Sequence, residues 1–252
     1  MSALLYGRRA AATTGADAPR LDMRLLDEIE LKDLHIYYCL FETPMEAALD
    51  RLPPALHPAI PAHVGITFWR AQDSALGAFE FAFIGIACRS GIKPRHFVYG
   101  AFTDSPEAAR YFAAKYGFPC RRAAVRQREF HDRIEGSVAV DGRTILEVIT
   151  TNMQPVVGAG ATVKYSPALC PAETPAGRKL VQFETSYQFA RVIRGTPKAT
   201  VFDAAALGDA AIRPAFPISG AHAVTTAMLH PPRFMVDPAT PAEMGGAQKI
   251  PR

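Results

Sequence analysis

The sequence is poor in the residues from which most recognisable active sites are built. Its four cysteines, Cys39, Cys88, Cys120 and Cys170, lie 49, 32 and 50 residues apart with no CxxC pair. That spacing argues against a zinc ribbon or a redox dithiol, and reduced thiols are the expectation. The seven histidines are scattered, and no HxH, HExxH or GxSxG occurs. The sequence therefore lacks the metalloprotease and serine-hydrolase signatures, and neither a metal nor a cofactor is expected. No block of one charge sign is present: 28 Lys and Arg against 24 Asp and Glu leave a net charge of +4, dispersed along the chain. Nucleic acid is accordingly not an expected partner. The longest apolar run, Phe81 to Cys88, falls well short of the ~20 residues that span a bilayer. A short apolar patch, Ala3-Leu4-Leu5, precedes Arg8 and Arg9, the reverse of a secretory signal, so the expected location is cytoplasmic.

What is present describes an ordinary globular chain. Its 252 residues are 49% hydrophobic and 21% charged, outside the range of disordered or collagen-like sequences. A single domain over 21–237 is expected, with poorly packed tails at 1–20 and 238–252 that carry no chemistry. Two helices are marked by their ends. Thr43-Pro44-Met45-Glu46 offers an N-cap, a first-turn proline and a capping-box glutamate, and Pro53 stops the helix. Asp104-Ser105-Pro106-Glu107 opens the second, which Gly117 closes and Pro119 keeps from resuming. The remainder reads as strands, including a hairpin turning at Asp141-Gly142 and one long strand from Val181 to Ile193.

Two segments could carry chemistry. In Ala78 to Ile86, alternation puts Phe79, Phe81 and Phe83 on one face and Glu80 on the other with Ala82, Ile84 and Ile86. A buried carboxylate must find a cation or rise in pKa until it keeps its proton; alternatively the strand is an edge and Glu80 meets solvent. In Gly117-Phe118-Pro119-Cys120-Arg121-Arg122, two guanidinium groups would lower the Cys120 thiol pKa if it is accessible. The alternative is a small buried cysteine that fills space, with both arginines solvated.

The order of these elements resembles the acetoacetate decarboxylase family. A helix opening Asp-Ser-Pro-Glu and ending Gly-Phe-Pro-x-basic is similar to the family's helix and its Gly-x-Pro-Lys-Lys segment, and the likeness runs from Asp33 to Val236. It implies an α+β, mainly antiparallel β fold, a closed cone-like barrel with a few outer helices. It also implies a homo-oligomer. The family's Schiff-base lysine falls on Cys120 and its cationic neighbour on Arg121, so iminium chemistry is not expected at this position. Lys115 reads as a solvated partner for helix carbonyls. Glu80 falls on a pocket glutamate. A second glutamate lands near Thr67 or Phe68, and an early arginine around Lys32 to His35, without a clear equivalent.

The resemblance implies an enzyme that needs no cofactor and acts on a small keto acid or polyketide-like carbonyl compound. Lyase, dehydratase or cyclase chemistry would use Glu80 for proton transfer, Arg121 for developing charge, and Cys120 as acid, nucleophile or space-making residue. Substrate-binding candidates are Arg122, with Thr67, Trp69, Tyr99 and Gln182 from strand parity. The alternatives are a non-catalytic binding barrel and a decarboxylase that uses a different lysine.

Overall fold

The computed structural model describes residues 5–91, 93–156, 167–242 and 247–250. In chain order the elements are β1 (Ile29–Glu42), α1 (Met45–Arg51), β2 (His57–Pro58), β3 (His63–Ala71), β4 (Phe79–Ser90), β5 (Lys93–Thr103) and α2 (Pro106–Tyr116). Then follow β6 (Cys120–Arg122), β7 (Ala124–Glu129), β8 (Arg133–Val140), β9 (Arg143–Pro155), β10 (Ala168–Thr174), β11 (Gly177–Phe183) and β12 (Thr185–Phe202). The chain ends with α3 (Ala204–Leu207), β13 (Pro217–Leu229), β14 (Phe234–Val236) and β15 (Gln248–Lys249).

All strands join one sheet in the order β15-β14-β11-β10-β5-β4-β3-β1-β13-β12-β9-β8-β7, with β2 on β4 and β6 on β5. Among the described residues, only the β5–β6 and β5–β10 pairs of strands are parallel. The expected closed barrel is not formed by hydrogen bonds. Strand β7 ends the path, and it folds back over β3, β4 and β5 without joining their ladder. The curl is held by side chains: the β7–β9 end covers one face, and α2 with β11 covers the other.

Period-two alternation sorts the apolar residues onto these two faces. Tyr37, Cys39, Phe68, Ala82, Ile84 and Ile86 pack in the core under β7–β9. Ile36, Trp69, Phe79 and Phe81 pack in the other, against Ala108, Phe112 and Tyr116 of α2. Phe112 and Tyr116 lie one turn after Ala108 and again one turn on, which gives α2 its single buried stripe.

Helix α2 starts and stops as its sequence indicates. The Ser105 side chain accepts the Ala108 N–H at 3.2 Å, and Gly117 ends the helix in the left-handed region at φ 79°. Helix α1 differs at its start. Pro44 is the N-cap and no side chain caps the helix, because Thr43 is used elsewhere: its N–H donates to the Ala62 carbonyl at 3.0 Å and its hydroxyl accepts from the Arg213 N–H. The Asp141-Gly142 hairpin is present, with φ of 49° and 79° at the two turn residues. The single strand expected from Val181 to Ile193 is two strands, β11 and β12, which part at Glu184 and serve opposite ends of the sheet.

Residues 7–14 of the expected N-terminal tail are packed rather than loose, while residues 1–4 lie outside the described residues. The Gly7 N–H donates to the Leu56 carbonyl at 2.9 Å, Arg8 pairs with Glu46 and Asp50, and Thr14 is fully buried. At the other end the Ala242 N–H reaches the Pro54 carbonyl at 3.1 Å and β15 extends the sheet beside β14. Residues 243–246 and 251–252 of the expected C-terminal tail lie outside the described residues.

Candidate functional site

The end of α2 places Cys120. Gly117 turns the chain, Pro119 stiffens it, and β6 then runs parallel to β5 with Cys120 beside Ala101. Ala101 is opposite Phe83 on β4, so sulfur and Phe83 share a face. That face is filled with rings. Phe81 stacks on Phe112 at 4.6 Å, Phe83 meets Phe118 at 5.4 Å and Trp69 at 6.1 Å, and Phe183 meets Phe118 at 5.2 Å. Thr67, opposite Phe83, is buried on the same side. Cys120 is half-buried against this cluster.

Burial pushes the Cys120 thiol up to about 12. The activation expected from Arg121 and Arg122 is outweighed by this burial: the two arginines are exposed residues of β6, and Arg121 is engaged by the Ala206 carbonyl and the Phe102 ring. A thiol held this high is almost entirely protonated at neutral pH and a poor nucleophile. The turn that places this thiol is testable. A Cβ at Gly117 would sit 2.7 Å from the Ala172 Cβ and 2.9 Å from the Pro171 carbonyl, in a left-handed conformation. Gly117→Ala is therefore expected to cost more than about 2 kcal/mol in urea unfolding.

Glu80 lies on the opposite face, so the acid and the sulfur do not look into one chamber. Its backbone is pinned by Thr103, whose hydroxyl donates to the Glu80 carbonyl at 2.7 Å, and by Asp104, which accepts the Glu80 N–H at 3.1 Å. Its carboxylate accepts the Gln127 N–H at 3.2 Å. Burial, followed by the neighbouring charge of Asp104, raises the Glu80 carboxyl to about 7, against the opposing pull of the Gln127 N–H, Arg70 and Arg126. The cation opposite it is Arg70 on β3, not Arg121.

Around this pair the structure gathers polar groups from four strands. Arg70 donates to the Gln127 carbonyl at 3.3 Å and to His35 Nδ1 at 3.1 Å, while its Nε is buried without a partner. Both side-chain atoms of Gln127 and both ring nitrogens of His222 are likewise buried and without hydrogen-bond partners. The His35 and His222 rings are 5.4 Å apart. Burial lowers the protonation of both, that of His222 to about 4. Glu129 closes the group at its exposed side, one oxygen taking Arg191 at 2.5 Å. A carboxyl poised near neutrality beside a guanidinium and unused amide and imidazole groups can move a proton and hold a developing negative charge.

The remaining expected residues are elsewhere. Tyr99 forms the extra residue of a bulge in β5, with its hydroxyl buried and unpartnered and the Arg51 guanidinium 5.0 Å over its ring. Tyr99, Cys120 and Arg121 share an open cleft of about 520 Å3 with Arg9 and Arg51. Arg121 donates to the Ala206 carbonyl at 2.7 Å and lies over Phe102. Arg122 is exposed, Trp69 is enclosed by aromatic rings, and Gln182 is bound by Arg95 at 2.6 Å and by Glu184. Lys115, expected in solvent, has a fully buried side chain tied to Asp27 and Tyr111. Sequence reading missed Arg70, His35, Gln127, Glu129 and His222. Their one signal is polar character at positions whose strand parity points inward, and it becomes informative only once the register is known.

No family model and no curated protein sequence matches the chain. Solved structures do. Acetoacetate decarboxylase from Legionella pneumophila superposes with a TM-score of 0.73 at 17% identity, covering 85% of this chain and 90% of that one. The enduracididine biosynthesis enzyme MppR, complexed with pyruvate, gives 0.65 at 22% identity over 82% of this chain and 88% of its own. An acetoacetate decarboxylase-like enzyme from Sphingomonas wittichii RW1 gives 0.60 at 15%, over 81% and 90%. The chain therefore has the acetoacetate decarboxylase-like fold.

Proposed function

We propose that the protein is an enzyme that moves a proton next to a carbonyl group of a small keto acid, by acid/base and electrostatic catalysis without an imine. The observation that carries this reading is the Glu80 carboxyl, held near 7 opposite Arg70. In its ionised form it takes a proton from the carbon alpha to the carbonyl. The enolate that results is stabilised by the Arg70 guanidinium, with the unused Gln127 amide as a second donor. Returning the proton to another atom gives tautomerisation, and loss of a leaving group from the enolate gives lyase or dehydratase chemistry. Attack of the enolate on an internal carbonyl closes a ring. Pyruvate is the natural first probe, since MppR was crystallised with pyruvate and with a condensation product of pyruvate and imidazole 4-carboxaldehyde.

Incubation with pyruvate and longer 2- and 3-keto acids in deuterium oxide tests the step without knowledge of the final product. The expected result is protein-dependent loss of the alpha-proton NMR signal, with no mass adduct after borohydride. An adduct would indicate an amine nucleophile. Exchange absent across the panel would sink the proton-transfer reading. A binding-only barrel is favoured by one feature, the aromatic filling around Cys120; it predicts ligand binding with no exchange.

A further inference from the structure

The same face of the sheet carries a second arrangement that the Glu80 chemistry does not use. His35 of β1, Glu129 of β7 and His222 of β13 offer three ligand atoms that all lie within 4.8 Å of one another. We propose that these three residues bind a divalent first-row transition-metal ion, such as zinc or cobalt, through two imidazoles and one carboxylate. The expectation that the chain holds no metal came from sequence spacing, and this grouping is assembled by sheet register instead. Tyr37 is the partner of His222 across β1 and β13, and His35 lies two residues from Tyr37 on the same face.

Two observations support a metal over a simple polar network. His222 is fully buried with neither ring nitrogen hydrogen-bonded, a costly arrangement for an imidazole unless something supplies the missing partner. Glu129 has one oxygen committed to Arg191 at 2.5 Å and the other free to point inward, 4.0 Å from His222 Nδ1. Arg191 thus orients the carboxylate as a neighbouring donor does in many metal sites. Ligand atoms on a four-coordinate ion with bonds near 2.1 Å stand about 3.4 Å apart, so modest side-chain rotations close the site. Two nitrogens and one oxygen suit zinc, cobalt, nickel or ferrous iron rather than magnesium or calcium. Because Glu129 is exposed, the remaining coordination positions are open to water or an added ligand.

Arg70 opposes the ion. It donates to His35 Nδ1 at 3.1 Å, and an ion taken by that nitrogen would displace it. The guanidinium that leaves His35 still faces Glu80 across β3 and β4, so metal occupancy and the acid/base pair would be coupled. The proposal itself does not rest on Glu80 being catalytic, since the ligands are read from geometry alone.

The test uses tag-free protein stripped with chelator and titrated with cobalt(II), followed by zinc(II) competition. The expected result is binding of about one ion per chain, with a visible absorption that zinc removes. His222→Ala and Glu129→Gln should each weaken binding by at least about tenfold, whereas His57→Ala, on β2, should leave it unchanged. Circular dichroism establishes that each variant is folded. If His222→Ala fails to fold, the exposed Glu129→Gln variant decides the matter. Absence of binding by the wild-type protein, or binding that these substitutions leave intact, overturns the proposal. Loss of alpha-proton exchange in a protein that still binds metal would count against the Glu80 reading alone.

Discussion

Replacing Phe112 with alanine is expected to destabilise the protein by about 3–5 kcal/mol, the range for large aromatic truncations in a core. Phe112 is fully buried, stacks on Phe81 at 4.6 Å, and touches Phe79, Trp69, Phe118 and Phe183 with ring centroids between 5.7 and 6.3 Å. A cavity left there cannot easily collapse, because α2 is fixed at its start by Ser105 and at its end by Gly117. The measurement is urea unfolding of the variant against the wild type. A second readout follows from the packing. Cys120 packs half-buried against this cluster at the edge of the cleft and its thiol is held near 12, so it should react slowly with a disulfide reagent in the wild type and faster in the variant. A loss below about 1 kcal/mol together with unchanged labelling would mean that the rings are loosely packed and that the sulfur's face is an open cavity after all.

The contrast between α2 and β6 shows what the sequence makes legible. Helix α2 is written locally: a serine cap, a first-turn proline and a glycine end lie within its own segment, and each acts as its chemistry predicts. The Asp141-Gly142 turn is local in the same way, and the parity of β4 correctly separates Glu80 from Phe79 and Phe81. Strand β6 has three residues, too few for parity to mean anything without its neighbour. Only its parallel register with β5 decides that the sulfur turns toward the rings and Arg121 away from them. Position-by-position transfer from the resembling family put Glu80 and Cys120 in one pocket; the pleat of the sheet separates them. The break at Glu184 is equally non-local, since Val181 to Ile193 alternates smoothly in sequence while its halves pair with different partners, β10 and β13. His35, Glu129 and His222 belong to three strands remote in sequence, and no spacing rule could have joined them.

Glu80→Gln should produce opposite changes in stability and activity. In the wild type the carboxyl is raised from its ordinary value of 4.5 to about 7, so between those values the folded state binds more protons than the unfolded chain. Stability therefore falls as pH rises through this window, and the full penalty is present above 7. Glutamine keeps the shape and does not ionise. The variant should lose the downward slope and be more stable than the wild type at pH 8, as measured by parallel urea titrations at pH 5 and pH 8. Alpha-proton exchange should move the other way, falling by about 10²–10⁴, the usual contribution of a general base. The wild-type rate should rise with pH and level off above about 7, and this limb should vanish in the variant because its source is the carboxyl itself. A variant that exchanges protons normally would remove Glu80 from the chemistry. One whose stability keeps the wild-type pH slope would show that Glu80 titrates as an ordinary solvated acid, and the buried, Arg70-facing carboxyl on which the mechanism depends would no longer hold.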